Sequence, residues 1–276
     1  MLDKSSKSIS IIGCGWLGMP LALELQNSGF KVQGTVRTLT KTERFNNSGI
    51  NFFQLDLNPE TESIPEIGSK FWQSDIFVLT IPPSEPTNYC ERFSKILDII
   101  AKQPRRLSII YTSSTGVYGK SKGLLNETSP LNPDRPGAAA VVECEKLLLG
   151  KNDIFDVCIL RLAGLVGPGR APGRFFAGKK NLGSGSSPVN LVQLDDCVGM
   201  IVRLIKQKIK KGIYNICADQ HPMHREFYPA QAIKLGLESP EYGIDSPDAD
   251  MKIIDNRLLK NVLDYAYIYP DPMKFD

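Results

Sequence analysis

Residues 11–18 read Ile11-Ile-Gly13-Cys-Gly15-Trp-Leu-Gly18, and they follow directly on an apolar run that begins at Ser8. Three glycines in the order Gly-x-Gly-x-x-Gly, between a strand and a helix, suit a turn that holds a dinucleotide. The first glycine permits the tight turn, the second lets a pyrophosphate approach the backbone, and the third lets the helix pack close to the strand. The free N–H groups of that helix then face the anion. We therefore predict a dinucleotide-binding βαβ unit here, contacted through Gly13, Cys14, Gly15, Trp16, Leu17 and Gly18.

The rest of the chain alternates apolar, β-rich runs with helical patterns, which is typical of a parallel sheet with crossover helices. We expect an α/β fold: a Rossmann-type, doubly wound parallel sheet with a small C-terminal substrate lobe. Residues 1–164 would form the NAD(P)-binding domain, completed by segments within 189–217, and 165–276 a mixed C-terminal region. Strands are predicted at 8–12, 31–36, 52–55, 76–80, 107–112, 156–162 and 213–217, and helices at 17–26, 89–101, 138–149, 196–208, 225–235 and 256–263.

The character of the sequence changes after Gly164. Residues 164–188 are rich in glycine and proline and carry four cations: Arg170, Arg174, Lys179 and Lys180. A loop of that length inside a compact protein is usually functional or mobile. We predict a lid that closes over an anionic group.

Composition excludes several classes of protein. Thirty-three Lys and Arg balance thirty Asp and Glu, for a net charge of +3, so we expect no nucleic-acid partner, while small anionic ligands remain open. No run of eighteen apolar residues is present, so no membrane span is expected. The first seven residues are polar and unlike a signal peptide, which predicts a cytoplasmic protein.

Cysteine and histidine usage argues against metal sites and disulfides. The six cysteines are spread singly, without a Cys-x-x-Cys pair, which predicts small buried apolar side chains rather than a disulfide framework or a zinc ribbon. The two histidines, His221 and His224, have no third ligand in sight. We predict no metal.

The end of the second predicted strand bears on the choice of cofactor. An acid there would hold the 2′-hydroxyl of a ribose, whereas Arg37 can bind a 2′-phosphate. Thr38 adds a neutral donor, and no acid competes nearby. NADP is therefore favoured over NAD, unless Arg37 is only a solvated strand-end cation. Asp56, next to Leu57, is placed to accept from the adenine amine or to serve as a turn residue.

Several further motifs in the right order resemble the extended short-chain dehydrogenase/reductases, the group of nucleoside-diphosphate-sugar epimerases and dehydratases. They accompany the glycine loop along nearly the whole chain. The most specific is the Ser-Ser-x-x-Val-Tyr-Gly stretch that starts at Ser113. The motifs are Tyr111-Thr-Ser-Ser114-Thr-Gly-Val-Tyr118-Gly119, Leu160-Arg-Leu-Ala-Gly-Leu-Val-Gly-Pro-Gly169, Asn190-Leu-Val-Gln-Leu-Asp-Asp196, Ile213-Tyr-Asn-Ile-Cys217 and Asp255-Asn-Arg-Leu258.

The resemblance implies roles for individual residues. Ser114 matches the family's catalytic Ser or Thr, which positions a substrate oxygen for hydride transfer. Loops after strands four and five, and the loop along the nicotinamide, would contact the cofactor. These cofactor contacts are Thr80, Ile81, Pro82, Thr112, Ser113, Ala163, Gly164, Leu165 and Val166, and the implied substrate contacts are Pro83, Arg170, Arg174 and Asn190.

One family feature has no counterpart. The acid/base pair Tyr-x-x-x-Lys should lie on the helix after strand five, where the spacing puts both side chains on one face. If Glu143 matches the glutamate that follows the pair in the family, Arg135 stands at the Tyr position and Ala139 at the Lys position. If Glu145 matches it instead, Gly137 and Val141 stand at these two positions. Neither alignment supplies a Tyr or a Lys.

A literal Tyr-x-x-x-Lys occurs at Tyr118-Gly-Lys-Ser-Lys122, but in a glycine-flanked loop four residues past Ser114. We favour a coincidental match and keep Tyr118 as a candidate acid/base.

The resemblance implies an NAD(P)-binding oxidoreductase or epimerase-like enzyme that acts on a small anionic or sugar-nucleotide-like substrate. One alternative is a non-catalytic NADP-binding regulator or sensor. Another is a β-hydroxyacid-type dehydrogenase, which shares the N-terminal motif but has an all-helical second domain. A homodimer is an open alternative for the assembly.

Overall fold

The structure is a computed structural model and describes residues 7–56, 69–83, 86–244 and 251–275. Leu57, one of the predicted cofactor contacts, lies outside these residues. The strands within the described ranges are β1 (Ser8–Ile12), β2 (Lys31–Val36), β3 (Asn51–Gln54), β4 (Ile76–Leu79), β5 (Leu107–Ser114), β6 (Gly123–Leu125), β7 (Phe155–Leu162), β8 (Gly164–Val166), β9 (Leu182–Ser184), β10 (Leu191–Gln193), β11 (Gly212–Ile216), β12 (Tyr242–Gly243) and β13 (Lys252–Ile254).

Six of the helices in the described ranges follow the predicted pattern to within a few residues at each end, whereas the short helix α2 was not predicted. They are joined by short 3₁₀ turns at Thr115–Tyr118, Pro172–Arg174 and Pro272–Lys274 and a longer one at Leu39–Ser48. The helices are α1 (Gly18–Asn27), α2 (Ser69–Trp72), α3 (Pro86–Ala101), α4 (Pro136–Leu149), α5 (Leu194–Lys206), α6 (His224–Lys234) and α7 (Arg257–Leu263).

Seven strands form the central sheet, in the order β11-β7-β5-β4-β1-β2-β3. β1 pairs in parallel with β2 on one side and with β4 on the other. Its isoleucines are fully buried, as expected of a strand covered on both faces. Because the strand order reverses at β1, a crevice opens at its carboxyl end, which is where ligands bind in such sheets. The glycine loop leaves β1 at that point.

The chain divides into two compact units that are interleaved in sequence. Unit 1 comprises 1–113, 135–160 and 201–213; unit 2 comprises 114–134, 161–200 and 214–276. The sequence predicts a boundary at 164, with the sheet of 1–164 completed by segments within 189–217. Unit 1 includes β1–β4 and helices α1, α3 and α4.

Unit 2 is built from short parallel strand pairs around its own apolar core. β8 pairs with β10, β9 with β12, and β6 with β13. The core contains Val166, Leu191, Phe227, Tyr228 and Phe275. These strands argue against the all-helical second domain that a β-hydroxyacid-type dehydrogenase would have.

The predicted long loop at 164–188 is not a single loop. It contains β8, the Pro172–Arg174 turn and β9, and each is fastened within unit 2. Gly173 packs so closely on the backbone of Gln231 in α6 that a Cβ there would overlap it. Proline and glycine suggested a loop because they break regular elements, but short strands and a 3₁₀ turn tolerate both.

No helix in the described ranges is long and apolar enough to span a membrane.

Candidate functional site

The three glycines of the first loop differ in how tightly the surrounding atoms enclose them. Gly13 has a φ of 104°, which favours glycine. A Cβ on Gly18 would overlap the carbonyl oxygen of Gly13 and lie 2.8 Å from Thr80 Oγ1. A Cβ on Gly15 would meet no heavy atom within 4 Å. The backbone at Gly15 is therefore open to a ligand, while Gly13 and Gly18 hold the loop against the sheet.

Neighbouring strands fix the loop from below. Thr35 in β2 accepts a hydrogen bond of 2.6 Å at its carbonyl from the N–H of Cys14, and its Oγ1 accepts one of 3.0 Å from the N–H of Gly13. Thr80 Oγ1 donates to the Gly13 carbonyl over 2.6 Å. The inward-facing N–H and carbonyl groups of the loop are thus hydrogen-bonded to β2 and to the residue after β4.

The side chains between the glycines point to the protein rather than to solvent. Cys14 and Leu17 are buried and Trp16 is half-buried. A Cβ on Gly34 would overlap Cys14 Sγ, so the thiol packs on the backbone of β2. Burial raises the pKa of this thiol to about 12, which leaves it protonated near neutral pH. Because the Cys14 N–H already donates to the Thr35 carbonyl, any cofactor contact by Cys14 would use neither that N–H nor a thiolate.

Arg37 follows β2 with a side chain that is 70% exposed. Its Nε lies 3.9 Å from Asp56 Oδ1, which gives a loose ion pair beyond the ends of β2 and β3. Thr38 is also exposed. The expectation that no acid competes near Arg37 is therefore wrong, because the structure places the Asp56 carboxylate beside it, although the guanidinium stays accessible.

The residues after β4 are held from α3. Tyr89 Oη donates to the carbonyl oxygen of Ile81 over 2.7 Å and lies 3.3 Å from Tyr111 Oη. Ile81 is partly exposed and Pro82 exposed. The Thr80–Pro82 backbone thereby has a defined course at the carboxyl edge of the sheet.

Strand five ends in two serines whose hydroxyls have different partners. Ser113 is buried and its Oγ donates to Glu145 Oε1 on α4. Ser114 is partly exposed, and its Oγ accepts a hydrogen bond of 3.0 Å from the N–H of Gly116. Thr112 Oγ1 donates to the carbonyl of Leu79 over 3.1 Å. Ser113 is thus tied to the helix, whereas the Ser114 hydroxyl donates to no acceptor within the described part of the chain.

The two possible alignments of the Tyr-x-x-x-Lys motif place its residues on different faces of α4. Glu145 is buried beside Ser113, and Val141, one turn earlier, is also buried. Gly137 continues this face, since a Cβ there would lie 3.7 Å from Pro83 Cγ. In contrast, Glu143 is exposed and pairs with Lys146 over 2.8 Å. Residues 137, 141 and 145 therefore form the inward face, which carries neither tyrosine nor lysine.

Tyr118 lies in the 3₁₀ turn after β5 rather than on a long helix, and it is fully buried within unit 2. Its Oη lies 2.9 Å from Arg161 Nη1, which donates to it, and 2.9 Å from Asn215 Oδ1, which accepts. The guanidinium carbon of Arg161 lies 5.2 Å from the centre of the ring. Burial raises the pKa of Tyr118, against the opposing effect of Arg161. The Tyr118 hydroxyl is therefore engaged both as an acceptor and as a donor within unit 2.

The segment expected along the nicotinamide forms β8 and the residue before it. Ala163 N donates to the Ile216 carbonyl over 2.9 Å, and Gly164 N to the Asn190 carbonyl over 3.1 Å. Val166 is buried and Leu165 partly exposed. The backbone of this segment is therefore fixed by its neighbours in unit 2.

The predicted substrate residues of unit 2 differ in their exposure. The amide of Asn190 is engaged from both ends: Nδ2 donates to the Lys252 carbonyl over 2.8 Å and Oδ1 accepts from Ile254 N over 2.9 Å. Arg170 and Arg174 are both exposed. Asn190 thus fastens β13, while the two arginines present cations at the surface of unit 2.

No group of three or more His, Cys, Asp or Glu in the described part of the chain could hold a metal ion.

With this geometry in view, comparison with known proteins decides the family. The sequence pattern of the NAD dependent epimerase/dehydratase family matches residues 9–217. The chain belongs to this family. The protein YeeZ of Escherichia coli K12 is 40% identical to this chain over 273 residues, which are 97% of this chain and 98% of YeeZ.

Solved epimerase-type structures share the fold. The UDP-glucuronic acid 4-epimerase of Bacillus cereus, in complex with UDP-glucuronic acid and NAD, superposes with a TM-score of 0.74 at 18% identity, covering 94% of this chain and 93% of the epimerase. MoeE5, in complex with UDP-glucose and NAD, gives a TM-score of 0.74 at 18% identity, covering 96% of each chain. At this identity the likeness establishes the epimerase/dehydratase fold.

The sequence did not indicate the buried polar residues that support the candidate site. Arg161, Asn215 and Glu145 are buried polar side chains that position the strand-five region and the Tyr118 turn. Arg161 had a signal, because it is a lone charge in an apolar strand and a buried charge needs a partner. Its partner, 43 residues earlier, is not indicated by any local pattern.

Proposed function

We propose that this family member is an NADP-dependent oxidoreductase or epimerase-like enzyme acting on a small anionic substrate of the sugar-nucleotide class. The observation that carries the proposal is the open backbone at Gly15, held between the constrained Gly13 and Gly18 at the carboxyl end of β1. This cradle fits a pyrophosphate, which needs close backbone approach at the start of a helix.

The chain's own residues would hold the cofactor as follows. Because the N–H groups of Gly13, Cys14 and Gly15 donate within the protein, the N–H groups at the start of α1 would bind the pyrophosphate. The Asp56 carboxylate accepts from the adenine amine, and the Thr80–Pro82 backbone lies beneath the dinucleotide. When bound, the nicotinamide supplies or accepts a hydride. Ala163–Val166 and the Thr112–Ser113 end of β5 complete the binding residues.

Preference for NADP rests on Arg37. A 70% exposed guanidinium at the end of β2 can form a charge-assisted, bidentate contact with a 2′-phosphate. Asp56, 3.9 Å away, would keep the arginine oriented without neutralising it fully. The B. cereus epimerase and MoeE5 are each in complex with NAD, so this preference would distinguish the present chain from them.

The chemistry would proceed without the usual Tyr/Lys pair. The inward face of α4, on which such a pair would face the sheet, carries Gly137 and Val141 instead. Ser114 would donate a hydrogen bond to the reacting oxygen, and the proton would come from a water held by Ser114, from Tyr118 or from the substrate itself. Loss of a positioned general acid costs about 10²–10⁴-fold in rate, so slow turnover is expected.

Charge and the ligands of the solved relatives support the proposed substrate class. The ligands in MoeE5 and the B. cereus epimerase are UDP-glucose and UDP-glucuronic acid. In this chain, the exposed Arg170 and Arg174 would bind phosphate oxygens, and Pro83 would line the sugar. Asn190 would act through the backbone of β13 that it holds.

A second candidate, a non-catalytic NADP-binding regulator, is favoured by the same face of α4. Gly137 and Val141 remove the acid/base pair while the cofactor loop keeps all three glycines. Such a protein would bind NADPH tightly and turn over no substrate.

The deciding experiment is calorimetric titration of the wild-type chain with NADPH and NADH, followed by assays of nicotinamide reduction and of product formation with UDP-glucose and UDP-glucuronic acid. We expect NADPH to bind at least about tenfold more tightly than NADH, a difference of about 1.4 kcal/mol. Equal affinities would remove the NADP assignment, and no binding of either would overturn the proposal. Tight binding without turnover would favour the regulator.

A further inference from the structure

Two cysteines that are far apart in sequence meet between α3 and α4. The Sγ of Cys144 donates to the Sγ of Cys90 over 3.7 Å, although 54 residues separate them. Cys90 Sγ in turn donates to the Ala140 carbonyl over 3.2 Å. The spacing of the cysteines gave no hint of this pair, which exists because α3 and α4 pack side by side.

The two thiols differ in exposure. Cys144 is buried, whereas Cys90 is partly exposed. Burial, and to a lesser degree the neighbouring Cys90, raises the pKa of Cys144, so this group stays a thiol at neutral pH. An oxidant from solvent would therefore react first at Cys90.

We propose that Cys90 and Cys144 are an oxidation site that forms a reversible disulfide with a hydroperoxide as the oxidant. The sulfur of Cys90 attacks the peroxide, the O–O bond breaks, and a sulfenic acid and an alcohol, or water, form. The sulfur of Cys144 then attacks Cys90; the S–O bond breaks and the S–S bond forms. The Cys144 proton leaves with the hydroxide as water, so two thiols lose two electrons to one hydroperoxide.

The geometry suits this step. A disulfide has an S–S length of about 2.05 Å, so the two sulfurs must approach by about 1.7 Å from their 3.7 Å contact. The link would close a loop of about 54 residues between the two helices. A thiol such as glutathione would restore the pair by exchange.

The position of the pair connects it to the candidate site. Tyr89, adjacent to Cys90, holds the Ile81 carbonyl, and Glu145, adjacent to Cys144, accepts the hydrogen bond of Ser113. Movement of the two helices toward each other would therefore reach the ends of β4 and β5. Weaker dinucleotide binding in the oxidised protein is expected, and this consequence rests on the proposed function.

The first test uses hydrogen peroxide on the full chain, with free thiols counted under denaturing conditions. Of the six thiols, the reduced wild type should show all and the oxidised wild type four. Tryptic mapping without reductant should yield one linked product of residues 71–92 and 123–146. Cys90→Ser should lose this product, while Cys158→Ser, which removes another buried thiol of unit 1, should keep it. A wild type without the linked product, or with Cys144 linked elsewhere, would overturn the proposal.

The second test compares the affinity of oxidised and reduced wild type for NADPH. We expect the dissociation constant to rise at least about fivefold on oxidation, and to return with dithiothreitol. The Cys90→Ser variant should show no such change. An unchanged affinity in protein that contains the linked product would overturn the coupling. Absence of binding in the reduced protein would instead count against the proposed function.

Discussion

The hydroxyl of Thr80 donates a hydrogen bond of 2.6 Å to the carbonyl oxygen of Gly13, which joins the residue after β4 to the loop after β1. This contact occupies the space beneath Gly18, where a Cβ would lie 2.8 Å from the same hydroxyl. The loop is therefore shaped by the protein alone. A ligand that binds it would meet a preformed cradle and would not have to order it.

Substitution of the second and third glycines should have opposite consequences. Gly18→Ala should lower the free energy of unfolding by about 1–3 kcal/mol, because the methyl group overlaps the Gly13 carbonyl. Gly15→Ala should leave it within about 0.5 kcal/mol, because the methyl group meets nothing in the protein. Gly15→Ala should nevertheless weaken NADPH binding at least about tenfold. Denaturant unfolding and calorimetry measure the two effects; a Gly15→Ala protein with unchanged affinity would argue against a pyrophosphate at this backbone.

Arg37→Asp should reverse or abolish the preference for NADPH. Hydrogen bonds to charged groups contribute about 1.5–3 kcal/mol, so the dissociation constant for NADPH should rise about tenfold to a hundredfold while that for NADH changes little. Lys31→Asp is the matched control, since it makes the same change of charge at an exposed cation at the other end of the same strand. A loss of NADPH affinity that Lys31→Asp reproduces would reduce the role of Arg37 to general charge.

If turnover is found, Ser114→Ala should lower kcat more than it raises KM, because its hydrogen bond should strengthen as charge develops on the substrate oxygen. Tyr118→Phe should instead destabilise the fold by about 1–3 kcal/mol, since Arg161 and Asn215 lose a buried partner. Steady-state kinetics alongside thermal unfolding separates the two effects.

The reverse pattern is informative. A loss of kcat in Tyr118→Phe as large as that in Ser114→Ala, with NADPH affinity intact, would make Tyr118 the proton donor. Fast epimerase turnover that survives both substitutions would contradict the site as proposed.

If the 164–188 segment closes over a ligand, only the residues outside its strands β8 and β9 should move. Amides of β8 and β9 pair with neighbouring strands and should exchange slowly without ligand. Those of 167–171, which include Arg170, should exchange faster and slow at least about tenfold when NADPH and a UDP-sugar are added. Hydrogen exchange with peptide-level mass spectrometry measures this. Slow exchange throughout the segment without ligand, unchanged on addition, would count against a lid.

Local sequence patterns were sufficient for the strands of the central sheet and for every described helix except the four-residue α2. The apolar run of β1, the three glycines and the amphipathic pattern of α1 are each specified within a few residues, because turn geometry and side-chain periodicity are local properties. The short strands β6, β8, β9, β10, β12 and β13 were missed. Strands of two or three residues contain too little periodicity to be recognised, and only their partners define them.

Some features of the candidate site could likewise be predicted from the sequence, and others could not. The sequence by itself determined the glycine-rich loop after β1, the cation after β2 and the residue types along the helix after strand five, which include no tyrosine. Only the tertiary structure decided which face of α4 turns inward, and it did so through the buried contact of Glu145 with Ser113, 32 residues earlier. The interleaving of the two units, the Tyr118–Arg161–Asn215 contacts and the Cys90–Cys144 pair likewise depend on long-range packing. A single sequence records which side chains are available, but the cost of burying a polar group is compensated by partners that only the folded chain brings within reach.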